Sequence, residues 1–243
     1  MKKRLLSTIL IASMLMTSCS VLDRFSDSDN DEIYSRDGDH VTFGHYEQDG
    51  DIGNGPEPIE WQIISEEDGK LLLISSSILD CQAFNTGSDG VTWETCTLRS
   101  WLNNEFYNAA FDDDERELIS TAVLNNTGDE SLGTGSGNDT EDKVFVLSIE
   151  EIADYYGLIW DDDISHWGTA EVLETKVTDY AHEEGSYRYV FDNDGGDWWT
   201  RSTGLHSYDA WMIDYEGRAT LRNYHDVGYL NLGIRPVIYL DIG

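Results

Sequence analysis

The sequence predicts one α+β domain. Three observations carry this. Period-two alternation runs through His40–Tyr46 and Ile59–Ile64. Capping residues and helical spacing occupy the middle of the chain. Short strand-like runs return in the last third. In order, HVTFGHY at His40–Tyr46 reads as a strand, and Gly50–Pro58 is a turn-rich break. Ile59–Ile64 is a second strand. Glu67-Asp68-Gly69-Lys70 is a hairpin turn into a more buried strand at Leu71–Ser75, so a meander is expected. Thr97 is placed as a helix N-cap, with Leu98, Trp101, Leu102, Phe106 and Ala109 on one apolar face. Asp112–Ser120 reads as a second short helix whose acids complement the dipole. Asn125–Asp142 is a long loop, and Val144–Leu147 a short buried strand. Ser148-Ile-Glu-Glu151 is a capping box opening a helix to about Tyr156. A further helix is expected across Val177–His182. Trp198–Arg201, Ala210–Asp214, Ala219–Arg222 and Ile234–Tyr239 read as strands, with a tight turn at Tyr215–Gly217. Alternation sends Trp211 and Ile213 to one face, Met212 and Asp214 to the other. Of the adjacent Trp198 and Trp199, it sends one inward. Pro236 demands an edge or a bulge.

The N-terminus reads differently. Lys2, Lys3 and Arg4 precede the apolar run Leu5–Met16, too short to span a bilayer as a helix and the length of a signal-peptide core. Met16-Thr17-Ser18-Cys19 resembles a bacterial lipobox, which implies cleavage after Ser18 and diacylglycerol on Cys19. An ordinary secretory signal with an incidental cysteine is the alternative. Residues 19–39 are rich in Asp, Ser and Asn and lack an apolar period, as a disordered tether would. Residues 40–243 remain for the domain.

Lys and Arg number 15 against 48 Asp and Glu, a formal net charge of −33. Such a chain repels nucleic acid and anionic lipid, so the expected membrane contact is through the lipid anchor only. Cations and neutral sugars remain compatible partners. Besides Cys19 the chain has only Cys81 and Cys96. In an exported protein they are either a disulfide or two buried thiols, and their spacing leaves both open.

Four ordered motifs carry a resemblance: Thr92–Asn103 (TWETCTLRSWLN), Asn138–Phe145 (NDTEDKVF), Trp198–Ser202 (WWTRS) and Gly233–Pro236 (GIRP). The series resembles an uncharacterised bacterial domain family of extracytoplasmic and multidomain Firmicutes proteins. Its members look like relatives of the C-type-lectin-like fold shared with formylglycine-generating enzymes. The resemblance implies a small twisted antiparallel sheet, several short helices and long loops, and it carries no activity. The copper oxidases of that fold use a cysteine pair near the C-terminus, and this chain has no cysteine after Cys96. The H-x-x-x-H-x-E triad of the related iron enzymes is absent as well.

Arg99, Arg201 and Arg235 sit beside apolar residues, so each guanidinium needs carboxylate or carbonyl partners. Asp139, Glu141 and Asp142 are the expected partners, pinning the long loop to the sheet. Asp139 and Asp142 are also a calcium candidate, although the EF-hand spacing is missing; no other cofactor is expected. The late aromatic residues suggest a ligand face of Arg201, Ser202, Tyr208, Trp211, Asp214, Tyr224 and Tyr229. There is no G-x-S-x-G, P-loop or H-E-x-x-H. The expected role is non-catalytic binding of a glycan, a peptide or a surface protein. The alternatives are an envelope hydrolase or oxidoreductase with an unlocated site, and a structural subunit of a surface assembly.

Overall fold

The structure, a computed structural model, describes residues 33–87, 90–128, 135–158, 160–161, 166–167, 171–191, 193–204, 206, 208–219, 224–228 and 230–243. The leader, Cys19 and most of the expected tether lie outside these residues. The described chain opens with a hairpin of β1 (Ser35–Asp37) and β2 (His40–Tyr46), where Arg36 pairs with Val41. The domain boundary expected at His40 therefore falls inside a hairpin. Ile33 and Tyr34 already pack on the core, so residues 33–39 belong to the domain and not to a tether.

The meander continues through β3 (Glu57–Glu67) and β4 (Lys70–Ser75). Asp68 (φ 50°) and Gly69 (φ 72°) both take left-handed angles in the turn between them, as a two-residue hairpin of matching twist requires. After β5 (Asp80–Cys81) comes a helix built in three parts: α1 (Thr97–Trp101), one π-helical turn at Leu102–Phe106, and α2 (Tyr107–Ala110). The N-cap is Cys96, not Thr97; its sulfur accepts from Arg99 N, while Thr97 Oγ1 accepts from Thr86 N. The π turn lengthens the repeat to four, so Leu98, Leu102, Phe106 and Ala110 form the buried face and Ala109 is exposed.

The helix predicted over Asp112–Ser120 stops early. α3 (Asp113–Leu118) is opened by an Asp112/Glu115 capping box, and Ile119–Ser120 is β6. β7 (Ala122–Leu124) and β8 (Thr140–Asp142) close the long loop as a two-stranded pair. Val144–Leu147 is buried, but Phe145 forms only a single bridge, to Val237. α4 (Ile149–Tyr156) has the Ser148/Glu151 box, and Gly157 ends it at φ 66°. β9 (Trp160–Asp161), β10 (His166–Trp167) and α5 (Asp179–Glu183) lead to the last strands. These are β11 (Trp198–Thr203), β12 (Asp209–Ile213), β13 (Tyr224–Asp226), β14 (Gly233–Ile234) and β15 (Val237–Asp241). The strand expected at Ala219–Arg222 lies, past Ala219, outside the described residues.

Two sheets organise these elements. One runs β1-β2-β3-β4-β15-β6 and is antiparallel throughout. The other runs β13-β12-β11-β14-β5, with β14 parallel to β11. Two strand segments pass together from one sheet to the other: β4 into β5, and β14 into β15. At that corner Ser75 N donates to Pro236 O and Leu79 N to Ile234 O. Pro236 thus falls where the chain changes sheets. A Cβ on Gly233 would collide with Ile78, and one on Gly196 with Val177, so both positions admit only close backbone approach.

Arg235 fills this corner, with no acidic partner among the described residues. Its Nε donates to Ser75 O at 2.7 Å and its guanidinium lies 5.3 Å from the Trp198 ring centroid. No described carboxylate pairs with it, which corrects the expected ion pair. Burial, barely offset by Tyr156, pushes its pKa down to about 10.

β11 and β12 are covered on both faces. Trp198 and Trp199 are both wholly buried; their indole N–H groups reach Leu173 O and Gln82 O. Trp211, Met212, Ile213 and Asp214 are likewise all interior, so the in–out alternation expected there does not hold. A strand with cover on both sides needs no alternation.

Candidate functional site

The residues read as a ligand face beyond Arg201 are the inner wall of the domain. Arg201 is 1 % exposed, Ser202 and Trp211 0 %, Asp214 6 %. Each is engaged inward. Arg201 forms a two-pronged pair with Glu151 of α4, and its Nε donates to Asn126 Oδ1 at 3.0 Å. Its Nη groups also reach Val146 O and Asn125 O. Ser202 Oγ accepts from Ile149 N. Asp214 accepts from the Glu216 and Arg218 backbone and from Arg218 Nε, closing the Asp214–Arg218 turn. Tyr208 alone among the described members of that set is half exposed, stacked on His206 at 5.1 Å. The Tyr224 side chain and Tyr229 lie outside the described residues.

Arg201 therefore pins the long loop through asparagines and not, as expected, through its acids. The loop acids serve Arg99. Asp142 Oδ1 accepts from Arg99 Nε at 2.6 Å, and Oδ2 from Trp93 Nε1 at 3.0 Å and Thr140 Oγ1 at 2.8 Å. Arg99 Nη2 reaches Glu141 O, and Asp139 Oδ1 accepts from Asn126 N. Both Asp142 oxygens and one Asp139 oxygen are thus already engaged by protein donors, which disfavours the calcium candidate.

The exposed rings are elsewhere. Tyr187, Tyr189 and Tyr215 form a ladder: Tyr189 stacks on Tyr215 at 3.8 Å and 19°, and Tyr187 meets Tyr189 edge-on at 4.7 Å. Tyr187 is 58 % exposed, and Val190 and Phe191 project beside it. The loop that carries them is fixed by backbone bonds: Tyr189 N to Gly195 O, Val177 N to Asp194 O and Gly196 N to Thr175 O. Asn193 and Asp194 turn it through positive φ angles of 54° and 57°. Below the ladder is a cleft of about 240 Å³ lined by Glu171, Glu174, Thr175, Lys176, Asn193, Gly195 and Tyr215. Nothing in the sequence marked Tyr187 and Tyr189 except their own ring chemistry, because Gly185–Asp194 has neither period.

Asp197 holds the ladder from beneath. Its Oδ1 accepts from Tyr215 N at 2.8 Å and its Oδ2 from Tyr189 Oη at 3.3 Å. Burial pushes its carboxyl up to about 6; Asp214 adds to this, while the Tyr215 and Tyr189 bonds and Arg218 oppose it. The folded state then keeps a proton that the unfolded chain has released between the ordinary Asp range and about pH 6. Asp197 accordingly contributes stability as pH falls through about 6, complete below about 4. A two-unit rise is worth at most about 3 kcal/mol, and about 1–2 kcal/mol is expected for a partly hydrated group. Asp197→Asn should gain on the wild type at pH 7.5 and lose that gain at pH 4.5 in urea unfolding. A pH-independent difference between the two proteins would refute this.

The chain matches the domain of unknown function DUF6273 over residues 68–242. It belongs to that family. No curated protein and no solved structure matches it.

In this DUF6273 domain Cys81 and Cys96 are free and buried, so the disulfide alternative gives way to two thiols. Cys81 Sγ donates to Leu230 O and Cys96 Sγ caps α1. Burial pushes both pKa values up to about 12, which leaves them protonated and unreactive at neutral pH. The DUF6273 match takes in Arg99, Arg201 and Arg235 as well as the ladder. Among the described residues no helix is long and apolar enough to cross a membrane.

Proposed function

We propose that this chain is a lipid-anchored, extracytoplasmic, non-catalytic binding domain of C-type-lectin-like architecture. Its ligand is a glycan, a peptide or another surface protein. The observation that carries this is the Tyr187–Tyr189–Tyr215 ladder, its outer ring exposed and its inner two partly buried, beside a cleft. Aromatic rings held rigidly at a surface give large contact area at small entropic cost. The lectin-like assignment draws support from the resemblance of the four motifs and from first and last strands that share one sheet. Export and acylation rest on the basic, apolar and Cys19 pattern of the leader.

The acids speak against catalysis. Asp197 is tied to Tyr215 N and Tyr189, and Asp214 is committed to its own turn. Asp80, the other well-buried carboxyl with a raised pKa, is closed in by Tyr46, Gln82 and Cys81 N. None of these three forms an open acid–base pair in a deep pocket.

The test is ligand capture by the full chain on a glycan array and on immobilised cell-surface extracts. Tyr187 is exposed, so Tyr187→Ala should fold as the wild type does and lose about tenfold in affinity for whatever ligand is captured. Unchanged capture by Tyr187→Ala would remove the ladder as the contact surface.

A further inference from the structure

The cleft under Tyr215 has a size and a charge that restrict its occupant. Its volume of about 240 Å³ is below the roughly 300–1,000 Å³ that drug-sized ligands and cofactors need. It therefore has room for one small ring and not for a nucleotide or an extended cofactor. Tyr215 supplies an aromatic wall. Glu171, Glu174, Lys176 and Asn193 line the same cleft and are exposed. Among the described residues none of these four side chains makes a hydrogen bond or an ion pair. Their heads are thus uncommitted donors and acceptors around an aromatic face, the pairing that binds a ring with polar edges and an apolar face.

Charge then selects among such rings. Two carboxylates face one ammonium at the rim. Asp214 and Glu216 beyond the Tyr215 wall are answered by Arg218. The remaining potential is negative, within a chain of net charge −33. An anionic ring would enter against this field.

We propose that this cleft is the primary subsite of the binding surface and that it takes a single uncharged or amino-bearing sugar ring, rejecting uronic, sialylated and phosphorylated rings. This rests on the reading of the ladder as a contact surface.

The experiment is a glycan array probed with the full chain and sorted by ring charge, followed by calorimetry with the strongest neutral oligosaccharide. Hits are expected among neutral and amino sugars. Tyr215→Ala, checked for folding by circular dichroism, should weaken the neutral ligand by about tenfold. Glu174→Gln removes one cleft charge at an exposed position and should raise the signal from acidic glycans several-fold. Acidic glycans as the best wild-type ligands would overturn the ligand class while the contact surface stands. Capture of a protein through Tyr187 with no sugar bound would do the same. No capture of any kind, with Tyr187→Ala and Tyr215→Ala silent, would overturn both.

Discussion

Replacing Arg201 by methionine is expected to destabilise the domain by about 3–5 kcal/mol, because it strands partners from three parts of the chain. Glu151 loses the cation that it grips in two-pronged fashion, while its carboxylate still caps α4 through Ser148 N. Asn126 loses the donor to its Oδ1, and the carbonyls of Val146 and Asn125 lose theirs. The guanidinium is enclosed, and solvent cannot take its place at the buried Asn126 side chain or the Val146 carbonyl, although water reaches the 29 % exposed Glu151 side chain. Glu151→Gln should cost less, since the neutral amide can still accept. The Arg201→Met/Glu151→Gln double variant should be more stable than the two single losses summed, as expected when each partner's absence removes the reason for the other. Denaturant unfolding of the four proteins measures this. A loss under about 1 kcal/mol for Arg201→Met would mean that the clasp is not what holds the loop to the sheet.

Asp142→Ala should have the second-largest effect, also about 3–5 kcal/mol. One carboxylate serves Arg99, Trp93 and Thr140 together, and Asn103 approaches it as well. Its removal leaves the fully buried Trp93 indole N–H without an acceptor. The same geometry predicts that wild-type thermal midpoints are equal with calcium and with chelator, for a site whose oxygens are already filled. A chelator-dependent midpoint would restore the cation reading of this segment. Elsewhere, Glu47, Asp49 and Glu57 bring carboxylate oxygens within 4.8 Å at the surface. That loop spends those oxygens on its own amides at Gln48, Gly50 and Asp51.

Local rules made much of this fold legible. The hairpin at Asp68-Gly69 and the capping box at Ser148/Glu151 are short-range devices, and both stand where the sequence places them. The failures share a cause, which is distance along the chain. Alternation could not reveal that β11 and β12 are covered on both faces, because the cover comes from remote segments such as Leu173 and Gln82. The π turn at Leu102–Phe106 moved the apolar face by one residue, from Ala109 to Ala110. Arginines beside apolar residues did signal buried cations. The sequence could not say which would find carboxylates: among the described residues Arg99 and Arg201 do, and Arg235 does not. The ladder escaped notice because tyrosines in a segment without period look like any loop, until backbone bonds bring Tyr189 against Tyr215.

The last strand has a consequence for how the molecule is made. β15 lies inside its sheet, between β4 and β6, and not at an edge. Until Val237–Asp241 has emerged from the ribosome, Leu71–Ile74 has no neighbour on one flank and the corner has only one of its two limbs. The first sheet and its corner therefore cannot be completed in a nascent chain before β15 has been made.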